Sequence, residues 1–226
     1  MIARAFSNSS TFSTGSNLNL WKKFSMATQF GLFPGLQNSR GCLAPEGFRY
    51  EEEVISKAEE TRLVALLGTL ELKPLEFHGH LGNRRVISFG LRYDFSKRSV
   101  EAADRLPPFL AEVRKMAANF AGREVDEFQQ AGVNEYPPGA GIGWHKDKAE
   151  FGVIVGISLS ATATMRFRRS DGDRWTRMSQ TLQPRSIYIL EGEARTMWEH
   201  SIPPVHALRY SLTFRTVLKT NKRYTS

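Results

Sequence analysis

The sequence predicts an α+β fold that is mainly β: a double-stranded β-helix, or jelly-roll, core buttressed by N-terminal helices. Three observations carry this expectation. Two stretches with helical spacing of apolar residues come first, near 56–70 and 109–122; a train of short β-like runs fills about 127–217; and turns lie between those runs. A long series of antiparallel strands joined by short turns protects its edges by closing into a barrel or a double sheet. At 226 residues and 41% hydrophobic content, the chain can bury a sizeable core, as one domain with appendages.

Taken in order, residues 1–44 are rich in Ser, Asn, Phe and Gly and contain no acid, which suits a flexible extension or an organelle-targeting segment. Met26 opens MATQFGLFPG and reads as an internal start. The patterned domain is expected over 45–226, with its barrel core at about 127–217. FRYEEEVI, 48–55, alternates as a strand, and Ser56 with Glu59 forms a capping box that opens a helix to about Leu70. RRVISFG, 84–90, reads as a strand that SFGLRYDF continues with aromatics. Pro107 and Pro108 precede the helix FLAEVRKMAANFAG, which Gly122 stops. The strands expected after it are FQQAGVNEY, FGVIVGISLS, ATMRFRR, RWTRMSQTL, SIYIL and RYSLTFRTV.

Composition bounds the partners. No apolar run approaches 18 residues, so no membrane span is expected. The single cysteine, Cys42, allows neither an intrachain disulfide nor a cysteine-built zinc site, which fits a reducing intracellular setting: cytoplasmic in a bacterium, nuclear or organellar in a eukaryote. A monomer is expected. The net charge is +8, but Arg4, Lys22, Lys23 and Arg40 at one end and Lys219, Lys222 and Arg223 at the other account for all but one of those charges. A basic surface on the body must therefore come from local clusters.

Chemistry concentrates in NEYPPGAGIGWHKD, 134–147. In extended backbone, residues two apart share a face, so His145 and Asp147 can converge on one divalent ion. His200, in EARTMWEHSIP at the end of a strand-like segment, is the candidate third donor. Two histidines and one carboxylate leave coordination positions open, the pattern of a non-haem Fe(II) oxygenase. The last strand adds a second constraint. In RYSLTFR, Arg209, Ser211, Thr213 and Arg215 fall on one face and Tyr210, Leu212 and Phe214 on the other. Two inward arginines call for an anion, and a dicarboxylic acid satisfies both with bidentate contacts.

N-x-Y-x-x-G at Asn134, Tyr136 and Gly139, H-x-D at His145 and Asp147, PRSIYILEGEAR before His200, and R-x-S-x-T-F-R at 209–215 stand in an order that resembles the AlkB family of Fe(II) and 2-oxoglutarate dependent dioxygenases. The resemblance covers roughly 45–217. It implies that His145, Asp147 and His200 bind iron, that Arg209 with Tyr136 holds the distal carboxylate of 2-oxoglutarate, and that Arg215 with Asn134 assists at the keto-acid end. Where this chain has Ser211 the family often has Asn, so a cofactor contact is shorter or lost. The implied cofactors are Fe(II), 2-oxoglutarate and O2. The implied reaction is oxidative removal of N-alkyl groups from nucleic-acid bases, DNA or RNA, with release of succinate and formaldehyde. The alternative is a related oxygenase acting on tRNA modification, protein or a small molecule.

The substrate reading rests on Arg84, Arg85, Phe89, Tyr93, Arg166, Arg168 and Trp198, with Arg92, Phe95, Arg169, Arg174 and Arg177 around them. Aromatics interleaved with arginines can stack on bases and neutralise phosphates, with single strands or flipped bases preferred. The same aromatics also read as core packing, and RFRRSDGDRW as a solvated hairpin. Base-acting relatives often carry an acid four positions after the first ligand histidine; here Ala149 stands there, with Glu150 beside it. His78, His80 and His206 read as loop or surface residues.

Overall fold

The computed structural model describes residues 44–77, 80–94, 97 and 99–218, all within one structural unit spanning 40–226. The expectations for residues 1–43, including Met26 and Cys42, for His78 and Phe95, and for the basic tail at Lys219, Lys222 and Arg223 lie outside the described residues.

Strand β1, Phe48–Glu51, leads into helix α1, Lys57–Leu67. The Ser56 side chain accepts from the backbone N–H of Glu59, as the capping motif requires, but the Glu59 carboxylate turns to Arg62 and Gly68 ends the helix one turn before Leu70. Strands β2, Lys73–Phe77, and β3, His80–Phe89, form a hairpin, and β4, Leu91–Asp94, pairs with β5, Ser99–Ala102. The expected continuation of the strand through SFGLRYDF fails at Gly90. Its φ is +72°, and a Cβ there would lie 2.2 Å from the carbonyl oxygen of Gln129, so the chain turns out of the large sheet into a separate two-stranded ribbon. Helix α2, Ala111–Ala121, begins after a 3-10 turn at Pro108–Leu110 and stops at Gly122 in the left-handed region, as the sequence indicates.

The remaining strands are β6, Gln130–Tyr136; β7, Ile142–His145; β8, Phe151–Leu159; β9, Ala163–Asp171; β10, Arg174–Leu182; β11, Ser186–Leu190; β12, Glu199–Ile202; and β13, Arg209–Val217. They distribute between a seven-stranded sheet, β1-β11-β8-β13-β6-β3-β2, and a four-stranded sheet, β10-β9-β12-β7. β6, β8, β11 and β13 pair in one sheet, and β7, β9, β10 and β12 form the other, so the chain crosses from sheet to sheet as it advances. This is the double-stranded β-helix expected from the sequence. The segment before His200 departs from expectation: Gly192–Thr196 forms one helical turn, α3, and the strand begins only at Glu199.

Side-chain alternation sorts two cores. Tyr210, Leu212 and Phe214 of β13 and Val155 and Ile157 of β8 pack with Leu63 and Leu67 of α1 and Val113 and Ala117 of α2. Ile154, Met165, Phe167, Tyr188, Leu190 and Ile202 form the second core with Tyr136 and Ala140. β8 is buried along nearly its whole length because it contributes to both, which explains its unbroken apolar run.

Candidate metal and cosubstrate site

The pocket gathers residues from both sheets: Asn134, Tyr136, His145, Asp147, His200, Arg209, Ser211 and Arg215 all line it. Its candidate metal corner is built by register. His145 ends β7 and is the cross-strand partner of His200 on β12, with ring centroids 4.3 Å apart. Asp147 follows two residues later, just past the strand. One donor atom from each of the three lies within 4.8 Å of the others, close enough to share one ion. The Nδ1–H of His145 donates to the Gly143 carbonyl at 2.9 Å, which selects the tautomer with Nε2 free as a donor to a metal.

Electrostatics keep this corner ready for a cation. Burial alone would raise the carboxyl of Asp147, but Arg215, His200 and His145 outweigh it and hold the group down at about 2. Burial pushes His200 down to about 4 against the pull of Asp147, so its ring is neutral near pH 7 although its Nε2 lies 3.4 Å from an Asp147 oxygen. The two therefore face each other as paired donors rather than as an ion pair. Arg215 lies 3.5 Å from the other Asp147 oxygen and also donates to Gln130 and Thr213.

A residue that the sequence reading passed over, Arg195 on α3, fixes the chain beyond Asp147. Its buried guanidinium donates to the carbonyls of Lys148, Phe151 and Gly152, so the segment after Asp147 is tied to α3 at three points. Its only sequence signal was its place in the EGEAR motif.

The other end of the pocket needs an anion. Arg209 is 1% exposed, donates through Nε to Ser158 at 3.0 Å, and leaves its buried Nη1 without a partner. The Nε of Arg215 is likewise buried and unpartnered. Arg84, Arg209 and Arg215 line the pocket against one carboxylate, Asp147, an imbalance that a dicarboxylate cosubstrate corrects. The residues present thus fit both a divalent metal and a dianionic acid. Two cations lie by the Tyr136 ring, Arg209 5.0 Å and Arg84 5.8 Å from its centroid. The Asn134 side chain donates to the Ser211 carbonyl at 3.5 Å, and Ser211 and Tyr188 both line the pocket. Tyr188 and Ser158 carry no signal in the sequence: Tyr188 is set by its pairing with Gly156 on the neighbouring strand and Ser158 by its bond to Arg209.

A family model described as the 2OG-Fe(II) oxygenase superfamily matches residues 56–215, a span that includes every residue of this pocket. The chain belongs to that superfamily. Among curated proteins it is similar to the mouse tRNA (carboxymethyluridine(34)-5-O)-methyltransferase ALKBH8, at 30% identity over 71% of this chain and 24% of that protein. It also matches the Arabidopsis thaliana alkylated DNA repair protein ALKBH8 homolog, at 31% over 54% of this chain and 42% of that protein, and the Salmonella typhimurium alpha-ketoglutarate-dependent dioxygenase AlkB, at 34% over 49% and 55%. The chain spans about a quarter of the length of the mouse protein. The solved structure of OsALKBH1 shares the fold at a TM-score of 0.57 and 16% identity, covering 77% of this chain and 98% of that one. The chain is thus an AlkB-like 2-oxoglutarate-dependent dioxygenase that uses Fe(II), 2-oxoglutarate and O2.

For this AlkB-like oxygenase the expected substrate residues divide sharply. Arg84 lines the pocket, whereas Tyr93 is not part of its lining and holds the Lys148 ammonium 4.9 Å from its ring centroid. Arg85 occupies the opposite face of β3, where it pairs with Glu135 and donates to the Leu72 carbonyl. Phe89 is buried in the core beneath the helices, and Trp198 is 2% exposed in the second core, so neither is available to a substrate. Arg166 and Arg168 lie on the outward face of the four-stranded sheet, because their neighbours Met165 and Phe167 take the inward positions. They stand on either side of Phe167, the cross-strand partner of His200, and face away from the pocket.

Proposed function

We propose that this dioxygenase removes N-alkyl groups from nucleic-acid bases, with His145, Asp147 and His200 as iron ligands and Arg209, Arg215, Tyr136, Asn134 and Ser211 seating 2-oxoglutarate. The catalytic domain is assigned to 45–226. When bound, iron with 2-oxoglutarate and O2 would supply a two-electron oxidation of the N-methyl carbon: 2-oxoglutarate would lose CO2 and take up one oxygen atom as it becomes succinate, the other oxygen atom would become the hydroxyl on that carbon, and the resulting hemiaminal would lose formaldehyde to leave N–H. The protein's residues do the positioning. Arg209 and Arg215 orient the cosubstrate carboxylates, Arg195 and Arg215 hold Asp147 in place, and the buried walls Ile154, Met165 and Leu190 exclude water.

The observation that carries the substrate reading is the placement of Arg84. It comes from β3, a strand outside the eight that build the double-stranded β-helix, yet it lines the pocket, while Tyr93 of the β4–β5 ribbon stands beside Lys148, the residue after Asp147. A cation in the pocket lining, and an aromatic face against the residue that follows Asp147, suit a planar base carrying a phosphate. The relatives named for alkylated-DNA repair and for tRNA methyltransferase activity support the same class. The test is formaldehyde and succinate release from DNA and RNA oligonucleotides carrying 1-methyladenine or 3-methylcytosine. Both products are expected, with single strands preferred over intact duplex. Robust 2-oxoglutarate turnover with no formaldehyde from any methylated strand would replace this reading by the alternative, a modified tRNA, protein or small-molecule substrate.

A further inference from the structure

The outward face of the four-stranded sheet carries an array that the active site does not use. Trp144 lies on β7, the strand that ends in His145 and forms one edge of the sheet; Arg166 and Arg168 lie on β9; Trp175 and Arg177 lie on β10, the opposite edge. The Arg168 guanidinium sits between the two indoles, 4.6 Å from the Trp144 centroid and 4.4 Å from that of Trp175, and Arg166 stacks on Trp144 at 5.1 Å. Across the strands, Arg168 pairs with Glu199 and Arg166 donates to Ser201. Trp175 remains 41% exposed.

We propose that this face is a second nucleic-acid contact, gripping the phosphate backbone of a substrate strand away from the target base. The proposal rests on the nucleic-acid reading above. With the Nε groups of Arg168 and Arg166 bonded to Glu199 and Ser201, their in-plane Nη–H groups are what a phosphate would meet, and the indole faces hold the guanidinium groups in one geometry before the ligand arrives. The exposed indole of Trp175 offers a surface on which a base can stack whatever its sequence. Among the described residues Arg166, Arg168 and Arg177 face outward and only Arg168 of the three is ion-paired, with Glu199, so the face is cationic although the body of the chain is nearly neutral. A second copy of the same face would meet it with like charge, whereas a polyanion is attracted. Neighbouring strands are about 4.8 Å apart, so the array from β7 to β10 spans the reach of two or three nucleotides of a strand leaving the site over the β7 edge.

The experiment measures binding of an unmethylated, fluorescein-labelled single strand of roughly 15 nucleotides by anisotropy across a salt series. Trp175→Ala/Arg177→Gln, both on an exposed edge strand, should weaken binding about tenfold and flatten the log K against log salt slope by about 0.7. Arg177→Lys should keep most of the salt slope, and a melting curve confirms that each variant is folded. Formaldehyde release from a methylated trinucleotide, too short to span both places, should be unchanged in the double variant, so a failure of the dealkylation reading is seen separately from a failure of this surface. Unchanged affinity and slope in the double variant overturn the proposal. Equal displacement of the strand by polyglutamate overturns it in favour of an acidic protein, and loss of self-association in the double variant during sedimentation overturns it in favour of a second copy.

Discussion

Two arginines set the chemistry of the pocket by what they leave unsatisfied and by what they hold. Arg209 keeps a buried Nη1 without a partner, and a buried N–H of a charged group is tolerated only when a ligand completes it. Arg209→Ala should therefore weaken 2-oxoglutarate binding by roughly 2 to 5 kcal/mol, read by calorimetry on the Mn(II)-loaded protein. Unchanged affinity would show that the last strand does not seat the cosubstrate. Arg195 acts at one remove, because its three carbonyl contacts fix the segment on which Asp147 is mounted. Arg195→Gln should lower Co(II) affinity about 10- to 100-fold and alter the visible absorption of the Co(II) complex, as expected when the support of a metal ligand is loosened. A purely structural role would lower the melting temperature and leave the Co(II) spectrum as it was. That Arg195 was not foreseen has a physical reason: its partners are backbone carbonyls, which leave no mark in the sequence.

At the scale of elements, the parts that could be read are those whose side chains alternate or recur. The face division of β13, the Ser56 cap of α1, the Gly122 stop of α2 and the continuous run of β8 follow from residue spacing alone, and so does the H-x-D pair at the end of β7. The parts that could not be read are set by backbone contacts across the chain. The break after β3 depends on the approach of Gln129 to Gly90, β2 begins with a Lys-Pro that argues against a strand, and α3 is a single turn with no periodicity to detect. Trp198 and Phe89 were read as substrate aromatics for the same reason: parity tells which face a side chain takes, but not which side of a sheet holds the pocket. Gly156 shows how close such contacts are. A Cβ there would fall 2.1 Å from Cζ of Tyr188 on the neighbouring strand, so the ring occupies the space that the glycine leaves. Gly156→Ala should cost about 1 to 3 kcal/mol in urea unfolding, and Gly156→Ala/Tyr188→Ala should be less damaging than the two changes summed. Strict additivity would mean that the strands adjust without strain.

For the whole molecule, the unliganded site couples stability to pH and to metal. His200 has its folded value lowered from 6.5 to about 4 by burial, and Asp147, against the effect of its own burial, is lowered from 3.8 to about 2 by Arg215, His200 and His145. For each group the unfolded chain holds the proton more tightly than the folded one. Both contributions are therefore fully present above the unfolded values and are lost on acidification, that of His200 between about 6.5 and 4 and that of Asp147 between about 3.8 and 2, on the order of 2 kcal/mol apiece. Metal-free protein should thus melt progressively lower as pH falls below 6.5, and His200→Gln should flatten the upper part of that slope. Mn(II) in large excess should add about 3 kcal/mol at neutral pH, since a ligand bound only by the folded state stabilises by mass action. Protons and metal compete for the same nitrogen and oxygen atoms, so this increment should shrink as pH falls toward 4 and vanish in Asp147→Ala at any pH. A Mn(II) increment that persisted in Asp147→Ala, or that did not depend on pH, would place the ion somewhere other than the His145, Asp147 and His200 corner.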